Sequence, residues 1–113
     1  MNGWIGVDLD GTLAYHGDWQ GSTHVGEPIP LMLERVKKWL SEGIEVRIMT
    51  ARVASTSHGR EEAREAIKAW CKEHVGIELE VTSEKDYGMI ELWDDRSVSI
   101  EFNTGKIRRN LDV

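Results

Sequence analysis

The sequence predicts an α/β fold built on a mostly parallel sheet, and three observations carry that expectation. The apolar run Trp4-Ile5-Gly6-Val7 ends at once in Asp8 and Asp10, as a strand buried on both faces would on reaching solvent. Strand and helix periods then alternate, strand, helix, strand, helix, strand, which is the order of right-handed crossovers in a parallel sheet. Gly43 and Gly76 fall just past the two helical stretches, where helices stop. The expected architecture is a three-layer sandwich, its sheet covered on both faces, in one domain spanning 1–113.

Trp4–Asp8 is the central strand. Leu13–Val25 follows, with Gly17 and Gly21 as turn residues around Tyr15 and Trp19 and Gly26 just beyond, and it reads as a small flap hairpin. Pro28–Glu42 is the first helix, with Pro28 and Pro30 suited to its opening and Met32, Val36, Trp39 and Leu40 on one apolar stripe. In Ile44–Met49, Ile44, Val46 and Ile48 alternate with Glu45 and Arg47, a strand with one face partly accessible. After a polar loop, Ala51–Gly59, the second helix runs Arg60–His74 with Ala63, Ala66, Ile67, Trp70 and Cys71 inward. Ile77–Val81 and Met89–Trp93 are further strands. The seven residues Thr82–Gly88 between them are too few for a helical crossover but, extended, reach about 23–25 Å, so a loop is expected. Val98–Phe102 and Lys106–Arg109 around Asn103-Thr104-Gly105 form a C-terminal hairpin.

Twenty acids against fourteen bases give a formal net charge of −6. That balance favours solubility and argues against a protein that tracks nucleic-acid phosphates broadly. The single cysteine, Cys71, forbids an internal disulfide and suggests a reducing compartment, the cytoplasm. No apolar stretch approaches the roughly 18 residues of a membrane span, and no charged-then-apolar signal is seen.

Asp8 and Asp10 follow the first strand, Thr50 the second, and Asp94 and Asp95 the fourth. Ligands of open α/β sheets bind outside the carboxyl ends of the strands, where strand order reverses. Four carboxylates gathered there would repel one another without a hard cation, and Mg²⁺ fits oxygen ligands and a phosphate. A calcium loop starting at Asp8 fails, because Leu13 stands where glycine is required and Trp19 where glutamate is.

On these residues the chain resembles the haloacid dehalogenase-like superfamily of aspartate-nucleophile phosphohydrolases. Its first motif is matched by Trp4-Ile5-Gly6-Val7-Asp8-Leu9-Asp10-Gly11-Thr12-Leu13, its second by Val46-Arg47-Ile48-Met49-Thr50, and its fourth by Leu92-Trp93-Asp94-Asp95. Lys85 is the candidate for the lysine of the third. The resemblance implies a Rossmann-like fold and a Mg²⁺-dependent phosphomonoesterase. In it Asp8 attacks phosphorus, Asp10 serves as acid and base, and Thr50 and Lys85 hold the phosphoryl oxygens. Asp8, Asp10, Asp94 and Asp95 would bind the metal. Gly11 lets the backbone turn so that N–H groups, with Thr12 and Ala51, face the phosphate.

The short interval Thr12–Met49 marks members without a cap domain. Such an open site accepts a bulky phosphate or borrows a lid from a neighbouring subunit, so a homo-oligomer stays open. Tyr15, His16, Trp19 and His24 are the flap's candidates for contacting the leaving group. Arg52 reads equally as a substrate contact or as the structural partner of an acid, and Lys85 also reads as a plain solvated lysine. A nucleic-acid terminal phosphatase, a phosphotransferase and a non-catalytic binding module are the competing functional readings.

Overall fold

The computed structural model describes residues 2–108. Its sheet has four strands: β1 (Trp4–Asp8), β2 (Glu45–Met49), β3 (Glu80–Thr82) and β4 (Met89–Trp93). They lie in the order β3-β2-β1-β4, and every pairing is parallel. β1 is central, as its unbroken apolar run requires. Two helices join the strands, α1 (Pro30–Ser41) and α2 (Arg60–His74), with a 3-10 turn at Ala51–Val53.

α1 begins two residues later than the apolar stripe suggests. Pro30 disfavours helical geometry at the residue before it, and Ile29 is extended, at φ −84° and ψ 113°. Pro28 is instead spent in an antiparallel bridge to Ala14. At the other end Gly43 takes φ +81° and stops the helix. β3 also starts later than expected, with Ile77 exposed, Leu79 buried as a loop residue, and pairing opening only at Arg47–Glu80.

The core lies on one face of the sheet. Ile5, Val7, Val46, Ile48 and Val81 point into it, met by Met32 and Val36 of α1 and by Ala63, Ile67, Trp70 and Cys71 of α2. Each fully buried Val, Leu or Ile there contributes about 1.5–3 kcal/mol. Trp39 of α1 packs on Trp93 of β4 at 5.1 Å, and Arg35 lies over the same ring at 5.3 Å. Burial pushes the Cys71 thiol up to about 11, which keeps it an unreactive apolar group at neutral pH.

The expected three-layer sandwich is therefore corrected to two layers among the described residues. β1 to β2 and β2 to β3 step in the same direction, and right-handed crossovers then place both helices on one face. The β3–β4 link, which could have carried a helix to the other face, forms a loop. On that open face Arg47 lies 4.4 Å over the Trp4 ring. Asp86 of the loop accepts from Trp4 Nε1 (2.9 Å) and Gly88 N (2.8 Å). A cation–π contact and a carboxylate stand where a helix would have packed.

Among the described residues neither expected hairpin forms a pair of regular strands. Leu13 and Ala14 are buried in the core, and residues 15–27 make a loop closed at its neck by Tyr15 N–H donating to Glu27 O (2.9 Å). Gly26 permits that closure, since a Cβ there would lie 2.1 Å from Tyr15 O. Towards the C-terminus a single Ile100–Ile107 bridge forms, and Arg109 lies outside the described residues. No helix among the described residues is long and apolar enough to cross a membrane.

Candidate functional site

Asp8 ends β1, and Asp94 and Asp95 directly follow β4. Because β1 and β4 are parallel neighbours, their carboxyl ends bring three acids together from both ends of the sequence. One oxygen from each lies within 4.8 Å of the others. β2 and β4 flank β1 on opposite sides, so this is also where strand order reverses.

Crowding shows in the protonation of Asp8, whose carboxyl is pushed up to about 7. Burial is the largest cause, followed by a hydrogen bond with Asp95 and the charges of Asp94, Asp95 and Asp10. The same hydrogen bond, with a second from Thr12, holds the Asp95 carboxyl below its usual value. One proton thus serves two acids. The donor set is three carboxylates, hard oxygen ligands whose mutual repulsion a divalent cation would relieve, so the residues fit Mg²⁺.

Two neighbours of Asp8 shape Asp95. The Thr12 hydroxyl donates to Asp95 Oδ1 (2.9 Å) and accepts from Asp95 N (3.0 Å), with Asp8 Oδ2 at 3.4 Å. The Thr12 hydroxyl therefore contacts both acids. Gly11 adopts φ +88°, and a Cβ there would lie 2.9 Å from Asp95 Oδ2. Glycine is needed for its dihedral and for the space it leaves to a carboxylate.

Asp10 turns to a different partner. Its two oxygens accept from Arg52 Nε (2.9 Å) and Nη2 (2.8 Å), and His16 Nδ1 lies 3.6 Å away. Arg52 Nη1 donates to the carbonyls of Ser22 (3.0 Å) and His24 (2.6 Å), with Gly21 O at 3.5 Å. Its guanidinium lies 4.8 Å from the Trp19 ring centroid. Between the two sequence readings of Arg52, this geometry favours the acid partner. Its tie to the flap carbonyls left no trace in the sequence beyond an arginine two residues past Thr50.

Thr50 is buried, its hydroxyl accepts from Arg52 N (3.2 Å), and its N–H donates to Thr82 O (2.8 Å). Its O–H has no acceptor among the described residues, which leaves it available to an incoming oxygen. Ala51 opens the 3-10 turn and is exposed. Tyr15 and Trp19 are exposed on the flap, Trp19 at 61% despite the Arg52 contact. Lys85 is exposed in the β3–β4 loop, and none of the hydrogen bonds or ion pairs among the described residues brings it to the acids.

No protein-family model and no curated protein matches the sequence. Among solved structures the chain is similar to a conserved protein from Bacteroides thetaiotaomicron, with 24% identity and a TM-score of 0.58 over 87% of this chain and 79% of that one. That likeness shows the fold alone: a compact α/β arrangement around a parallel sheet.

Proposed function

We propose that this protein is a Mg²⁺-dependent phosphomonoester hydrolase that works through an aspartyl-phosphate on a small phosphorylated metabolite or nucleotide. One observation carries the reading: Asp8, Asp94 and Asp95 converge at the carboxyl edge of the sheet. The motif order supports it, since it resembles small, capless haloacid dehalogenase-like phosphatases with a Rossmann-like core. The cytoplasm is the compartment assigned, on the single buried cysteine.

Asp8, Asp94, Asp95 and the Asp10 carbonyl would hold Mg²⁺, which when bound supplies positive charge against the acids and the incoming phosphate. With its proton lost to solvent, an Asp8 oxygen attacks phosphorus and the bond to the leaving oxygen breaks. Asp10 gives that oxygen a proton. In the second half Asp10 takes a proton from water, the water oxygen bonds to phosphorus, and the bond to Asp8 breaks to release inorganic phosphate. The Thr50 hydroxyl and Lys85 bind phosphoryl oxygens. Tyr15 and Trp19 face the leaving group from the flap.

A panel of phosphorylated metabolites assayed with Mg²⁺, beside Asp8→Asn, tests the reading. Release of phosphate from at least one substrate, abolished in the variant, is expected. A wild type inert across the panel, or a variant as active as wild type, ends it.

A further inference from the structure

We infer that Arg52 is a positioning residue that fastens the 15–27 loop to Asp10 and so sets the carboxylate that activates water. The inference rests on the hydrolase reading above and adds to it a residue, a loop and the step they serve.

The Arg52 side chain is only 7% exposed, and its donors are almost fully committed. Of five N–H groups on a guanidinium, Nε and one on Nη2 go to Asp10 and two on Nη1 to the Ser22 and His24 carbonyls. One remains. A direct phosphate ligand would present a free fork of two donors, and this side chain has already used its fork on Asp10.

The loop depends on the same group. Among the described residues, every hydrogen bond that leaves 17–24 ends on Arg52, the other being an internal turn from His24 N to Gly21 O. Trp19 adds its ring to the guanidinium. One cation therefore bonds to Asp10 on one edge and to the loop on another. Each Asp10 oxygen keeps a lone pair beyond the one Arg52 occupies, so the aimed carboxylate can still accept a proton from water. A displacement of about 1 Å at a reacting group costs about a hundredfold in rate, which is how a residue without substrate contact would matter.

The test is Arg52→Ala on 4-nitrophenyl phosphate with Mg²⁺, followed by stopped flow. This leaving group departs without help from an acid, so forming the aspartyl-phosphate is spared and its hydrolysis is exposed. Expected are a burst of about one nitrophenolate per chain, a kcat lower by about ten- to a hundredfold, and a KM lowered in proportion, so that kcat/KM stays within about threefold of wild type. Arg52→Lys keeps the charge without the fork and is expected to show the burst too. Amide exchange across 17–24 should rise at least about tenfold in Arg52→Ala, while β1 and α2 keep wild-type protection and report an intact fold. A uniform loss of rate with a raised KM and no burst would make Arg52 a phosphate ligand and overturn the inference. Unchanged exchange in the loop also overturns it. If wild type hydrolyses nothing, the hydrolase reading falls and takes this role with it, whereas an active wild type with a burst-free variant removes the inference alone.

Discussion

The Asp8 carboxyl is hydrogen-bonded to Asp95, and it holds its proton to about pH 7 while Asp95 gives its proton up early. A folded pKa above the ordinary 3.8 means that the folded chain binds this proton more tightly than the unfolded one. The Asp8 contribution to stability is therefore fully present below about pH 4 and drains away as pH rises to about 7. Thermal melts of metal-free protein between those pH values should show wild type losing stability relative to Asp8→Asn, whose amide can still donate to Asp95. Mg²⁺ should then raise the melting temperature of wild type more than that of the variant. A difference between the two proteins that is flat with pH would remove the shared proton.

Thr12 orients Asp95 by donating to its carboxylate and accepting from its N–H. Thr12→Val keeps the shape and loses both bonds, at a cost of about 1 kcal/mol. Groups that orient a metal ligand are worth about 10–100-fold in affinity, so calorimetry should find Mg²⁺ binding weakened in that range. Thr12→Ser should restore it. A valine variant that binds Mg²⁺ like wild type would leave Thr12 a packing residue only.

The parts of this fold that were legible in the sequence are those that local pattern decides. β1 reads directly, because an unbroken apolar run closed by acids has few other uses. Asp94 and Asp95 read as its partners because they too follow an apolar strand. The open sheet face did not read, since helical periodicity marks an apolar stripe without saying which side of a sheet receives it. Nor did the Arg52–Asp10 pair stand out, because the two residues are 42 apart and nothing local distinguishes a fork committed to an acid from one waiting for phosphate. The flap was misread for a different reason. Its glycines announce turns, but Tyr15 and Trp19 lack the strict alternation that would pair strands, and a loop forms around the Arg52 cation instead.

Gly11 is held by two independent constraints, a positive φ and the Asp95 carboxylate 2.9 Å from the position of a Cβ. Gly11→Ala must strain the backbone by about 1–2 kcal/mol and push Asp95 away from Asp8. The expected result is a modest loss of thermal stability and a disproportionate loss of Mg²⁺ affinity. Stability falling with affinity unchanged would mean that Asp95 gives way and that only the dihedral matters.

Lys85 is the residue on which sequence and geometry are most loosely joined. It follows the end of β3 by three residues, and its neighbour Asp86 is pinned to Trp4 and Gly88 on the open face. The backbone around Lys85 is thereby anchored while its own side chain stays exposed. An exposed lysine without a committed partner can be removed at little structural cost, within about 0.5 kcal/mol. Lys85→Ala should thus melt like wild type, which makes its kinetics easy to interpret. If the amine meets the phosphoryl group, turnover falls by about tenfold or more and inorganic phosphate inhibits less strongly, because a charge that offsets repulsion between Asp8 and the phosphate has gone. Lys85→Arg should recover part of that loss, since it keeps the charge on a side chain of similar reach. Wild-type kinetics in Lys85→Ala would return Lys85 to the solvent, and the phosphoryl oxygens would then rest on Thr50 and the metal without it.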